Sequence, residues 1–238
     1  MNGGKGPRFG SFFQGVALFL ILPAILVFNN LLALFLTTII KVDNGMFFIA
    51  AMSITQAVLI IVFAFYFAAH YWQWGLREFG LGLENFKKGL SGGLKFGPLI
   101  FILVVLSGAI IEMIKPFEGE MQPFAQLVIK ADSFSELFVL FLLGVFIAPL
   151  AEEIYFRGLL FPVIKGHLGL AGGIIVSGLI FGVMHFDLLR FLPLALGGMA
   201  LAYLYHKTNS LYATITAHGV WNGIMLFLLH FLQGSPTF

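Results

Sequence analysis

Residues 134–164 read FSELFVLFLLGVFIAPLAEEIYFRGLLFPVI. The run is apolar almost throughout, yet it holds Ala151-Glu152-Glu153-Ile154-Tyr155-Phe156-Arg157 at its centre. Two adjacent carboxylates and an arginine in such a stretch are costly. Each charge near mid-bilayer costs roughly 2.5–3.5 kcal/mol on insertion scales. Groups of this kind face a protein interior, pair with one another or line a wet cavity, so the stretch reads as a functional site. A straight helix over 134–164 would be about 46 Å long. That exceeds a hydrocarbon core of about 30 Å, so a kink is expected near Pro149 or Pro162.

The rest of the chain extends this reading. Of 238 residues 60% are hydrophobic and 10% charged, well below the roughly 25% charge of a soluble domain. The fold expected is an all-α polytopic transmembrane bundle of about seven to eight spans. The apolar runs lie near 12–40, 45–72, 96–114, 134–164, 170–187, 191–206 and 210–232. The first carries Pro23 and the pair Asn29-Asn30 and is expected to bend or to form two shorter pieces. It is read as a retained span, because it is too long for a signal-peptide core. The stretch 73–95 mixes basic residues with Phe79, Leu81, Leu83, Phe86 and Leu90 and reads as an interfacial segment. Lys115–Ser133 reads as an acidic loop. The organisation expected is one membrane unit, with N-terminal helices over 1–133 and a core carrying the chemistry over 134–238.

Net charge is +2, too small to suggest a nucleic-acid partner. The absence of cysteine excludes disulfides, thiolate metal ligands and thiol nucleophiles. With seven spans, one side collects Lys5, Arg8, Arg77, Lys87, Lys88, Lys95, Lys165 and Lys207. The other collects Lys41, Lys115, Lys130 and Arg190. This excess favours a cytoplasmic N-terminus. The expected location is a multi-pass position in a membrane, the plasma (inner) membrane if the source is prokaryotic.

Helix spacing makes Glu153 and Arg157 an i, i+4 pair with the acid N-terminal, the favourable order. Glu152 points about 100° away and lacks a local partner, which makes it the candidate base. A plain ion-pair network between helices is the bland alternative. Partners come from Phe181-Gly182-Val183-Met184-His185 and from His218-Gly219-Val220-Trp221-Asn222. If the hairpin turns near Gly166–Gly169, Glu152 and His185 share a depth of roughly 21–24 Å from the turn. Counted from a turn near Asn209, His218 is only about 13 Å deep, a mismatch of about 10 Å. His70, His167, His206 and His230 read as interface residues. Ser177 lacks a Gly-x-Ser-x-Gly elbow, and no His-Glu-x-x-His zinc signature occurs.

Around one buried water, Glu152 suits a general base and His185 a water-orienting group. His218 and Asn222 suit oxyanion donors. The set fits peptide-bond hydrolysis inside the membrane. Glu152, His185 and His218 equally suit a zinc ion that activates the water, and the sequence leaves both open. No cofactor is otherwise implied.

Glu-Glu-x-x-x-Arg at 152–157, Phe-x-x-x-His at 181–185 and His-x-x-x-Asn at 218–222 together resemble the three ordered motifs of one family. It comprises the CAAX proteases and bacteriocin-processing enzymes, relatives of the type II CAAX prenyl endopeptidase. The resemblance covers roughly 134–232. It implies Glu152 as base, His185 as water holder, His218 and Asn222 as oxyanion donors, and Glu153 and Arg157 as groups that order the site or the substrate. The implied reaction is cleavage of a membrane-embedded or lipidated peptide. Two other classes compete: a non-catalytic membrane binding or immunity protein on the same scaffold, and a proton- or ion-coupled transporter. The lack of an internal repeat counts against the transporter.

Overall fold

The computed structural model describes residues 12–43, 45–114 and 122–233. Lys5, Arg8 and the Lys115–Met121 part of the acidic loop lie outside the described residues. The described chain is helical with no strand. Among the described residues nine α-helices run in order: α1 Phe12–Thr38, α2 Met46–Phe67, α3 Phe86–Ile114, α4 Pro123–Lys130, α5 Phe134–Phe141, α6 Ala148–Glu153, α7 Phe161–Val183, α8 Phe191–Thr208 and α9 Leu211–Leu228. Among the described residues five helical segments are long and apolar enough to cross a membrane. One of them, Phe134–Val183, has 50 residues. It reverses direction at Gly169, where φ is 69° and ψ −176°, a conformation open to glycine and to few other residues. The protein is thus an all-helical integral membrane bundle, and these five candidate spans are roughly consistent with the seven to eight expected. Large apolar side chains such as Val62, Leu106, Ile110 and Phe227 point outward, as hydrocarbon solvent requires and water would not.

Both prolines of the long segment coincide with a distortion. The helix widens to π geometry over Leu142–Ile147 and again over Ile154–Leu160. Pro149 and Pro162 fall in the first turn of the α-helical pieces that follow. A proline has no N–H and collides with the carbonyl four residues back; a wide turn relieves both problems. At the start of this segment Ser133 caps α5, accepting from the Glu136 N–H at 3.2 Å, while the Glu136 carboxylate accepts from the Asp132 N–H just before the cap.

The helix α3 begins ten residues before the expected span. Of the stretch 73–95, only the part before Phe86 is turn and 3₁₀ structure. The reason is a glycine stripe on one face of α3. A Cβ on Gly93 would sit 2.4 Å from Thr216 Cβ and 2.6 Å from the Ala213 carbonyl of α9. One turn to either side, Gly89 and Gly97 meet Ser210 and Val220 as closely. Three missing side chains let two backbones touch, the usual substitute for hydrophobic drive between helices in lipid. Gly93→Leu is therefore expected to separate α3 from α9 and lower thermal stability in detergent by at least 1–3 kcal/mol, the usual cost of overpacking. Gly92, beside which a Cβ meets nothing within 4 Å, serves as the tolerant control.

The bundle has two distinct ends. At one, Tyr212 donates to the Leu81 carbonyl at 3.0 Å and Lys165 Nζ lies 3.4 Å from His206 Nδ1. At the other, Gln122 donates to Asp187 at 3.2 Å. There α4, expected as loop, packs Val128 against Leu140 and Leu226.

Candidate active site

Helix α6 carries Glu152 and Glu153, and the second wide turn that follows carries Arg157 into the bundle. Glu153 is 0% exposed and Arg157 1%. Arg157 Nη1 donates to Glu153 Oε1 at 2.6 Å, and Nη2 donates to the Gly198 carbonyl of α8 at 3.0 Å. The guanidinium also lies over the Phe181 ring, 4.7 Å from its centroid, a favourable cation–π contact. The i, i+4 pairing expected from the sequence is present. Neighbouring Tyr155 donates to the Leu18 carbonyl and ties α1 to this segment.

The histidine of α9 completes the pair. His218 Nδ1 is 2.8 Å from Glu153 Oε1. A carboxylate can only accept, so the proton sits on Nδ1 and the carboxylate fixes the ring's tautomer and orientation. The ring stacks on Trp221, centroids 5.2 Å apart, and meets the edge of Phe181. His218 Nε2 is left 3.9 Å from Glu152 Oε2. Glu152 is the more accessible carboxylate, its side chain 28% exposed, and its Oε2 has no protein hydrogen-bond partner.

The depth mismatch expected for His218 does not occur. The turn at Asn209–Ser210 is not level with the turn at Gly169. Leu211 instead abuts Gly158: a Cβ there would sit 3.4 Å from Leu211 Cδ1. Gly158 is six residues from Glu152, or about 9 Å of helix. His218 is seven residues into α9 from Leu211, about 10 Å, so the two side chains meet.

His185 arrives from the end of α7. Its Nδ1 lies 2.8 Å from the Phe181 carbonyl. The carbonyl accepts, which places the proton on Nδ1 and leaves Nε2 as its available acceptor nitrogen. Phe181 is 0% exposed and touches Phe156, Arg157, His185 and His218. In the sequence Phe181 is only the first position of a motif; the structure makes it the packing centre on which both histidines rest.

Asn222 has a defined backbone partner. Its Nδ2 donates to the Gly144 carbonyl at 2.8 Å. In the first wide turn the Ala148 N–H bonds Leu143 O. The next carbonyl in that register, Gly144, falls to residue 149, a proline with no N–H. Asn222 therefore satisfies a carbonyl that Pro149 orphans. Gly219 makes the approach possible, since a Cβ there would lie 2.5 Å from the Val145 carbonyl. Asn222→Ala is expected to cost about 1–3 kcal/mol, the penalty for stranding a buried acceptor. The check is thermal unfolding in detergent. A Pro149→Ala, Asn222→Ala double variant should recover part of the loss, because the orphaned acceptor regains a backbone donor.

Glu152, His185, His218 and Asn222 line one cavity of about 1070 Å³. Asn29 of α1 and Gln56 of α2 line it as well, joined by a 3.4 Å amide contact. From the sequence Asn29 marks only a bend in the first span. The signal available was a polar pair in a span otherwise facing lipid.

A zinc ion held by Glu152, His185 and His218 requires the three to converge. Both histidines hold their Nδ1 protons in the manner of metal-bound imidazoles. Among the described residues, however, no three His, Asp or Glu side chains are grouped so as to hold a metal. The donor set as arranged does not fit the ion.

Fold and site together define a helical membrane protein whose buried Glu–Arg–His cluster closes the inner end of a large cavity. Residues 134–224 match the family described as type II CAAX prenyl endopeptidase Rce1-like, so over this stretch the resemblance carried by the three motifs holds. Two curated proteins are similar to the chain. An uncharacterized protein of Mycoplasma capricolum is 35% identical over 117 residues, 47% of this chain and 33% of that protein. A Bacillus subtilis protein named "Putative membrane peptidase YdiL" is 32% identical over 84 residues, 34% of each. The matched segment spans about a third of the length of these relatives. No solved structure matches the chain.

Proposed function

We propose that the protein is an intramembrane endopeptidase that hydrolyses a peptide bond in a membrane-embedded or lipidated substrate, with Glu152 as general base. One observation carries the reading. The two adjacent glutamates are divided, Glu153 being locked between Arg157 and His218 while Glu152 lines the cavity and keeps a buried, unpartnered oxygen 3.9 Å from His218 Nε2. Atoms at that separation can both hydrogen-bond a single water, at about 2.8 Å each. The similarity to a family described as prenyl endopeptidases supports the same reaction class.

The steps follow from the groups. Glu152 takes a proton from the water as its oxygen attacks the scissile carbonyl. His185 Nε2, the acceptor left by its bond to Phe181, holds that water's second proton. As an imidazolium, with Nδ1–H on Glu153 and a second N–H at Nε2, His218 donates to the developing oxyanion together with the second amide hydrogen of Asn222. Glu152 then returns its proton to the leaving amine as the C–N bond breaks. Glu153 and Arg157 act through His218, which they orient.

The test is cleavage of tagged membrane peptides, prenylated and unprenylated, by purified protein with and without a strong chelator. Peptide cleavage that survives exhaustive chelation is the expected result. Loss of cleavage that returns on adding zinc would overturn the metal-free mechanism. A cell phenotype that persists in a Glu152→Gln variant would replace the peptidase with a binding protein on the same scaffold.

A further inference from the structure

The walls of the cavity come from one half of the bundle. Asn30 of α1, Ile49 of α2, Glu112 of α3, Gln122 before α4, Arg190 before α8 and Leu229 after α9 line it. These are all positions toward the Gln122–Asp187 end. Among the described residues, none between Glu152 and His185, or between Leu194 and His218, contributes. The inner wall therefore stops at the Glu152–His218 level. His218 stands ten residues before the end of α9 at Leu228, about 15 Å along the helix and near the middle of a hydrocarbon core.

The two ends differ in charge. Arg77, Lys87, Lys88, Lys95, Lys165 and Lys207 belong to the end away from the cavity. Among the described residues the cavity end has Lys41, Lys130 and Arg190, and Arg190 is neutralised by Asp187 at 2.7 Å. Basic residues beside short loops are retained on the cytoplasmic side. The basic end is thus cytoplasmic, and the cavity opens on the other face.

We infer that the site admits its substrate from the non-cytoplasmic face of the membrane. The substrate class is then an exported or membrane-anchored peptide that reaches mid-bilayer from outside, rather than the lipidated C-terminus of a cytoplasmic protein. Calling the occupant a substrate rests on the proposed peptidase; the direction of opening does not.

The cysteine-free chain makes the test direct. Leu188, 89% exposed in the loop beside the cavity mouth, and Leu83, 83% exposed at the basic end, are each replaced by cysteine in the full chain. Bacterial spheroplasts expressing Leu188→Cys or Leu83→Cys are treated with a membrane-impermeant maleimide, before and after permeabilisation. The expected result is at least tenfold stronger labelling of Leu188→Cys than of Leu83→Cys in intact spheroplasts, with equal labelling once permeabilised. The reverse order, or equal labelling of both in intact spheroplasts, overturns the inference. Labelling needs no cleavage, so failure of the peptidase reading and failure of this orientation show up in different experiments.

Discussion

Glu152→Gln is expected to abolish peptide cleavage while leaving the bundle folded. The substitution keeps shape and hydrogen-bonding reach but removes the basic oxygen. General-base catalysis contributes about 10²–10⁴-fold, so the residual rate should fall by at least a hundredfold. Stability should barely change, because Glu152 is partly exposed to the cavity and takes no part in the Arg157 pair. The readouts are turnover of a tagged membrane peptide and the thermal midpoint of the detergent-solubilised protein. A variant that keeps activity within tenfold of wild type with an unchanged midpoint would remove Glu152 from the mechanism. Loss of both activity and fold would reassign it to the structural network.

Arg157→Met should produce the largest loss of stability. The arginine is the cation paired with Glu153, and it sits at full burial with two hydrogen bonds and an aromatic face. Removing one member of a buried pair leaves an uncompensated charge, at a cost of about 3–5 kcal/mol. Replacing both members with apolar residues of similar volume often restores stability, so Glu153→Met, Arg157→Met together should unfold much nearer the wild-type midpoint than either single variant. Activity should not return with it, because His218 loses the carboxylate that sets its tautomer. This separation of stability from turnover distinguishes a positioning role from a merely structural one. Single variants that cost less than about 1 kcal/mol would show that the pair is not buried as described, since that is the range of exposed pairs.

The N-terminal helices lie outside the family match at 134–224, yet α1, α2 and α3 supply much of the cavity wall. Changes there should alter which peptide fits rather than whether water is activated. We propose the organisation expected from sequence, a core carrying the chemistry with helices 1–133 around it, as the working description of the chain.

What the sequence determined by itself was local or compositional. A chain that is 60% hydrophobic and 10% charged has to be read as membrane helices, because no water-soluble fold would leave so much apolar surface outward. The i, i+4 spacing placed Arg157 on Glu153 and turned Glu152 elsewhere, since helix periodicity alone decides that. The two prolines announced the distortions in the long segment. The junctions between helices were decided only in three dimensions. His218 reaches Glu153 because Leu211 packs beside Gly158, and nothing in either segment's own pattern sets that register. Asn222 finds Gly144 because Pro149 withdraws a donor some seventy residues earlier in the chain. The early start of α3 depends on glycines whose only signal is the absence of a side chain, which has meaning once a partner helix lies against it. Periodicity acts within a helix, whereas the register between helices is set by close contacts among residues distant in the chain.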